Sequence, residues 1–330
     1  MHTFASGVTL KTAGSHSVSV TDTVTASTTG NQAGLVINAG GVAQLTLVGI
    51  AGGAAGSASS AMVKAVDTYG NTVTGYTGTV RFTSTDAQAT LPSNYPFVAG
   101  DAGVHTFTSA VTLKTAGTQS VTVTDTVTGS ITGNQTGLAV VTGSATQLTV
   151  TGVAGGAAGV VSSVMVMALD SYGNTATGYT GTVRFTSTDG AAVMPANYPF
   201  VAGDAGVHTF TNGITLKTVG TQSVTATDTV TGGITGTQNG LAVTPGAATQ
   251  LTLSSVAGGV AGVVSSATVQ AKDAYGNTAT GYTGTVRFTS TDAQAVLPVN
   301  YPFVAADAGV HTFTNGVTLK TVGSQSVTVT

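Results

Sequence analysis

The sequence repeats itself with a fixed period. His2, His105, His208 and His311 each open a near-copy of the string HTFxxxxTLKT, 103 residues apart every time. Residues 105–207 and 208–310 are roughly three-quarters identical and align without insertion or deletion. A solenoid turn has roughly 20–50 residues, so a period this long is a whole domain. About 100 residues also suffice to close a hydrophobic core. The period divides the chain into 1–40, the C-terminal part of a truncated repeat, then full repeats at 41–143 and 144–246. The remainder, 247–330, is a repeat expected to lack its last strand. The connections VTGSA at 141–145 and TPGAA at 244–248 are too short to hold neighbours apart.

Within one repeat the pattern is short alternating runs broken by Gly, Asn, Asp and Pro, which reads as strands and turns. In 41–143 strands are expected near 43–48, 60–66, 78–84, 88–91, 104–114, 118–124 and 136–142. Composition agrees. Only 6% of residues are charged, all 12 acidic residues are Asp, and the helix-forming Glu is absent. With 41% hydrophobic residues, disorder is disfavoured. Seven or so strands per repeat point to an all-β chain of tandem immunoglobulin-like Greek-key β-sandwich domains of about 103 residues arranged as a rod. Cys and Trp are absent, so there is no disulfide or core Trp, and aliphatics and Phe must fill the core. Copy comparison separates the faces of the second strand. Ala61, Val63 and Ala65 stay small and apolar in each copy, whereas Met62, Lys64 and Val66 become Thr268, Gln270 and Lys272 in the last, as a solvated face permits. Val80, Phe82, Val121 and Val123 are likewise expected to point inward.

After the second strand the copies read DTYGNTVTGYTGTVRF at 67–82, DSYGNTATGYTGTVRF at 170–185 and DAYGNTATGYTGTVRF at 273–288. The Gly-Asn pair suits a tight turn, and the leading Asp can close an Asx turn. This D-x-Y-G-N-x-x-x-G-x-x-G-x-V-x-F pattern resembles the bacterial immunoglobulin-like repeats of invasin-type and other giant surface adhesins. The later G-V-H-T-F…T-L-K-T-A-G stretch resembles the closing strands of those repeats and of the filamin-like sandwich. The resemblance implies an extracellular, cell-surface stalk whose recognition module lies elsewhere in a longer chain.

Four Asp recur per repeat. An immunoglobulin-like topology would place Asp67, Asp101 and Asp125 at the end facing the preceding repeat, with Asp86 at the other end. Such oxygen-rich groups suit calcium, and the matching sets are Asp170, Asp204, Asp228 and Asp273, Asp307. Calcium-rigidified junctions are also what the resemblance implies. The alternative reading is that each Asp caps its own turn, since D-x-D spacing is missing. No cofactor other than calcium is expected. His105 and its copies read as structural, because a catalytic group has little reason to be copied into every repeat. No nucleophile elbow, phosphate loop or Glu-based acid–base pair occurs, so the chain is not read as an enzyme. The formal charge of −3 gives no basic footprint for nucleic acid.

Met165, Met167 and Leu169 form an apolar strip on a face where the neighbouring copies carry Lys64, Gln270 and Lys272, read either as a lateral contact or as a surface covered by an adjacent loop. Tyr69, Tyr76 and Tyr95 leave a glycan-binding module as a lesser alternative, although Tyr95-Pro96-Phe97 reads better as a plug beneath a loop. The sequon Asn134-Gln135-Thr136 occurs in one copy alone and reads as chance. The uncharged stretch from Thr126 to Leu169 has strand periodicity, so no membrane span is expected. MHTFASGVTL does not read as a signal peptide. The chain begins and ends in mid-repeat, which fits a segment of a longer array. It also fits a filament subunit that exchanges strands with identical subunits end to end.

Overall fold

A computed structural model describes residues 1–330. By compactness the chain divides into two units, Met1–Gly143 with Asp170–Asn174, and Ser144–Leu169 with Thr175–Thr330.

In the first unit, repeat 41–143 pairs Gln44–Val48, Ala58–Val66 and Val104–Thr112 into one antiparallel sheet. A second sheet orders Gly53–Ala54, Thr132–Val141, Gly117–Asp125, Thr79–Ser84 and Tyr95–Pro96. The chain thus leaves the first sheet after Val48 and joins the second at Gly53, where it runs parallel to Val140–Val141. This division of the first strand between both sheets gives the repeat its immunoglobulin-like order. Residues 1–40 contribute a hairpin of Gly14–Thr21 and Thr29–Ile37.

The core follows from the alternation. Ala61, Val63 and Ala65 face Val80, Phe82, Val121 and Val123, and all are 0–5% exposed. Each buried Val contributes roughly 1.5–3 kcal/mol, which is how a repeat without Trp or disulfides holds two sheets together. Tyr95 stacks on His105 with ring centroids 3.9 Å apart, and the buried Phe97 completes the plug.

The second unit repeats the plan in 144–246. Gln147–Thr151, Val161–Leu169 and Val207–Thr215 form one sheet; Gly156–Ala157, Thr235–Thr244, Gly220–Asp228, Thr182–Ser187 and Tyr198–Pro199 form the other. In 247–330 the first sheet is complete, and two short pairs stand in place of the second. Leu251 and Leu253 are accordingly only half-buried, whereas Leu148 and Val150 at the same positions are 4% exposed.

Three details depart from the sequence reading. Residues 88–91 form no strand: Thr90 makes one isolated bridge to Thr112, and the extra edge strand is Tyr95–Pro96. Residues 49–59, left between the strands expected at 43–48 and 60–66, are not all connection, because Gly53–Ala54 pairs within the second sheet. Val66 is not solvated, being 2% exposed. It bridges Thr72, so the following turn folds back over it. The only helical elements are three 3₁₀ turns, and no helix is long and apolar enough to cross a membrane.

Candidate functional site

The D-x-Y-G-N turn is built around its carboxylate. Asp67 Oδ1 accepts the backbone N–H groups of Tyr69 and Asn71 at 2.8 and 2.9 Å. Gly70 takes the positive φ of 84° that closes the turn. Asp67 Oδ2 accepts the Gly40 N–H at 2.9 Å and the Asn71 side-chain amide at 2.8 Å. The Asn71 amide holds the Asp67 carboxyl down at about 2, against the upward push of burial and with help from the N–H groups of Gly40, Asn71 and Tyr69.

Orientation by Asp67 leaves one edge of the Asn71 carboxamide free, and that edge meets the preceding repeat. Asn71 Nδ2 donates to the Lys11 carbonyl at 2.8 Å, while Asn71 Oδ1 accepts the Ala13 N–H at 2.9 Å. A primary amide carries the same donor and acceptor as a peptide group, so it pairs with the turn as another strand would. The arrangement recurs in the same unit, where Asn174 meets the Lys114 carbonyl at 2.7 Å and the Ala116 N–H at 2.8 Å. In the other unit Asn277 meets the Lys217 carbonyl at 2.8 Å and the Val219 N–H at 3.2 Å. Each lysine ammonium also lies over the tyrosine of the same turn: Lys11 over Tyr69, Lys114 over Tyr172 and Lys217 over Tyr275, at 5.5, 6.0 and 5.6 Å. Gly56 and Gly159, at φ 87° and 90°, are required beneath those rings, since a Cβ there would collide with the Tyr172 or Tyr275 hydroxyl.

The receiving turn has its own anchor. Asp86 is 3% exposed and accepts the N–H of Lys114 at 2.5 Å, the N–H of Thr115 at 3.0 Å and the Thr115 hydroxyl at 2.6 Å. Burial pushes the Asp86 carboxyl up, but the Thr115 hydroxyl and the N–H groups of Thr115, Lys114 and Gln88 outweigh it and hold it below the ordinary range. Asp189 and Asp292 hold the equivalent turns in the same way.

The other aspartates serve different turns. Asp101 takes His105 Nδ1 at 2.8 Å, the Val98 N–H at 2.8 Å and the Tyr95 hydroxyl at 3.3 Å. Asp125 takes the Tyr76 hydroxyl at 2.6 Å and the N–H groups of Val127 and Thr128 at 2.8 Å. Burial first, and the Asp125 bond second, push the Tyr76 phenol up. The expected gathering of Asp67, Asp101 and Asp125 does not occur, nor does that of Asp170, Asp204 and Asp228, or of Asp273 and Asp307. No group of three or more His or Asp side chains comes together in a way that could hold a metal. The physical reason is that each carboxylate is drawn into its own turn by nearby N–H donors. We expect the melting temperature in millimolar calcium and in excess EDTA to agree within about 1 °C, because ions that bind only the folded state would raise it by mass action. A calcium-dependent rise of several degrees would restore the metal reading.

Met165, Met167 and Leu169 are half-buried rather than fully exposed. The Thr175 hydroxyl lies 3.3 Å from Met167 Sδ and Thr175 bridges Leu169, so the turn after the strand covers part of the strip. Tyr69, Tyr76 and Tyr95 do not form one exposed aromatic surface: Tyr76 is 6% exposed and Tyr95 is stacked on His105. Reading the sequence missed Asn71, Asn174 and Asn277 as joining residues. Their recurrence at the repeat spacing was the available signal, but a turn-forming role accounted for it equally well.

Sandwich order and junction chemistry together define a protein of tandem immunoglobulin-like repeats joined turn to turn. No protein-family model matches the chain, and no curated protein does. Among solved structures it is similar to FdeC, an Escherichia coli adhesin, with 21% identity, TM-score 0.39, and coverage of 89% of this chain and 94% of that one. Invasin, a bacterial integrin-binding protein, shows 19% identity and TM-score 0.32 over 87% of this chain and 56% of its own length. A β-glucuronidase of Bacteroides uniformis shows 14% identity and TM-score 0.24 over 62% of this chain and 25% of its own. At such identities and scores no function carries across.

Proposed function

We propose that the chain is a structural stalk or spacer of an extracellular bacterial surface protein, bearing tension and projecting a recognition module carried elsewhere. The observation behind this reading is the junction built three times from the same parts: an Asn carboxamide on a backbone turn, with a Lys–Tyr contact beside it. A spacer needs the same joint at every step, so that reach is set by repeat number. The recurring polar clusters close turns within and between repeats and form no cleft of their own.

Electron microscopy of the purified chain tests the reading. Isolated elongated particles are expected, on the order of 120 Å long from three domains of strands rising about 3.3 Å per residue. Unbranched fibres of constant repeat would overturn it in favour of a self-assembling filament, and compact particles would sink both.

A further inference from the structure

We infer that each joint after a complete repeat conceals a cleavage site for a lysine-specific serine endopeptidase. The concealed bond is the one after Lys114 in the first such joint and after Lys217 in the second, and release of the clasping Asn exposes it.

The chain offers such an enzyme few places to cut. It has nine Lys and Arg in all. Lys64, Arg81, Arg184 and Lys272 lie within strands, and the Arg287 N–H and carbonyl are both bonded to Thr330. The other four, Lys11, Lys114, Lys217 and Lys320, occupy the string T-L-K-T in successive copies, outside every strand. Every basic residue found in a turn therefore falls on the turn that receives the next repeat.

A serine endopeptidase engages its substrate at defined points. It hydrogen-bonds the carbonyl oxygen in an oxyanion hole, takes the lysine side chain into a specificity pocket, and protonates the leaving nitrogen. The joint occupies all three. The Lys217 carbonyl accepts Asn277 Nδ2 at 2.8 Å, and the Lys217 ammonium lies over the Tyr275 ring at 5.6 Å. On the leaving side the Thr218 N–H donates to Asp189 at 2.9 Å, and the Val219 N–H donates to Asn277 Oδ1 at 3.2 Å. Around Lys114 the carbonyl accepts Asn174 Nδ2 at 2.7 Å, and the Thr115 N–H donates to Asp86 at 3.0 Å. The Lys114 ammonium lies over Tyr172 at 6.0 Å and donates to the Thr90 hydroxyl at 2.9 Å.

Lys320 separates the effect of the clasp from that of the turn. Asp292 accepts the N–H groups of Lys320 and Thr321 at 2.5 and 2.9 Å, as its counterparts do in the other repeats. The cations that lie over rings are Lys11, Lys114 and Lys217, so Lys320 has the anchor without the cover. It is exposed, whereas Lys114 and Lys217 are half-buried.

Cleavage adds water across the Lys217–Thr218 bond. The C–N bond breaks, the Lys217 carbonyl carbon gains the water oxygen as a carboxylate, and the Thr218 nitrogen becomes a new protonated amino terminus. The turn must leave Asn277 to enter the enzyme, so the rate follows the population in which the clasp is open.

Trypsin acting on the folded full chain tests this, with the initial rate at each bond read by mass spectrometry. In the wild type, cutting after Lys114 and Lys217 should be roughly thirtyfold slower than after Lys320, the factor that two neutral hydrogen bonds represent. Asn277→Ala should raise the rate after Lys217 about thirtyfold and leave that after Lys114 unchanged, and Asn174→Ala should do the reverse. Tyr275→Ala keeps the backbone bond to Asp273 and removes only the ring, so the rate after Lys217 should rise about threefold. Lys217 belongs to repeat 144–246, so a general loosening of repeat 247–330 by Asn277→Ala would show after Lys272 and Arg287 instead. The concealed site is refuted if wild-type Lys217 is cut as fast as Lys320, or if Asn277→Ala and Asn174→Ala leave the rates after Lys217 and Lys114 unchanged. Neither result bears on particle shape, so the microscopy test of the stalk stands apart.

Discussion

Replacing Asp189 with asparagine should destabilise repeat 144–246 by about 3 kcal/mol, because the new amide would set N–H groups against N–H donors that a carboxylate accepts. Asp189 is 3% exposed and holds the N–H of Lys217 at 2.5 Å, the N–H of Thr218 at 2.9 Å, the Thr218 hydroxyl at 2.6 Å and the N–H of Ala191 at 2.9 Å. An asparagine keeps the shape and can accept at one oxygen, yet its NH2 faces at least one of those donors. At a few degrees per kcal/mol for a domain of this size, the transition should fall by roughly 12 °C. Calorimetry of the full chain reads this directly, with the transition of repeat 41–143 as the reference. A shift below about 1 kcal/mol would show that water replaces the carboxylate at little cost.

Acid should remove the same contribution. Burial raises the Asp189 carboxyl, but the Thr218 hydroxyl and the surrounding N–H groups bring it below the ordinary range. A carboxyl depressed in the folded state leaves the unfolded chain with more protons as the pH drops. Stability is therefore complete above the unfolded value of about 3.9 and is lost as the pH falls through the folded value. With Asp67 also depressed, to about 2, the loss for the wild type belongs between pH 4 and 2, and it should be smaller for the Asp189→Asn variant.

Asn277→Ala should leave both sandwiches folded and uncouple them. The carboxamide makes the bonds to the Lys217 carbonyl and the Val219 N–H, and both of those groups lie on an accessible turn where water can replace it. Two neutral hydrogen bonds amount to about 2 kcal/mol of coupling, or about a thirtyfold shift toward the unclasped junction. Amide ¹⁵N relaxation should show residues 144–246 and 247–330 tumbling with one correlation time in the wild type and with two in the variant. A single correlation time in Asn277→Ala would mean that the linker and the Lys217–Tyr275 contact suffice. Asn277 Nδ2 also donates to the buried Asp273 at 2.8 Å, so repeat 247–330 should melt a few degrees lower while repeat 144–246 is unchanged, which separates this effect from that of Asp189.

The aspartates show how far reading the chain could go. That Asp67 closes an Asx turn is visible in D-x-Y-G-N, since the donors lie two and four residues away. That Asp86 holds Lys114 and Thr115 is not visible, because those partners lie 28 and 29 residues away on another turn. A polar residue in a turn looks the same whether its partner is adjacent or distant. The misassigned strand at 88–91 has a related cause: alternation marked residues able to pair, and only one bridge found a partner.

Period and alternation by themselves determined the repeat, the all-β class and the buried face, because a fixed spacing and a two-residue rhythm are local properties of the chain. The tertiary structure alone decided that Asn71, Asn174 and Asn277 join consecutive repeats and that the Gln135 and Gln238 amides bond the backbone of Ile50 and Val153. Those amides bond backbone groups 58–60 and 85 residues away. Backbone carbonyls and N–H groups are identical at every position, so only folding selects which of them a side chain meets.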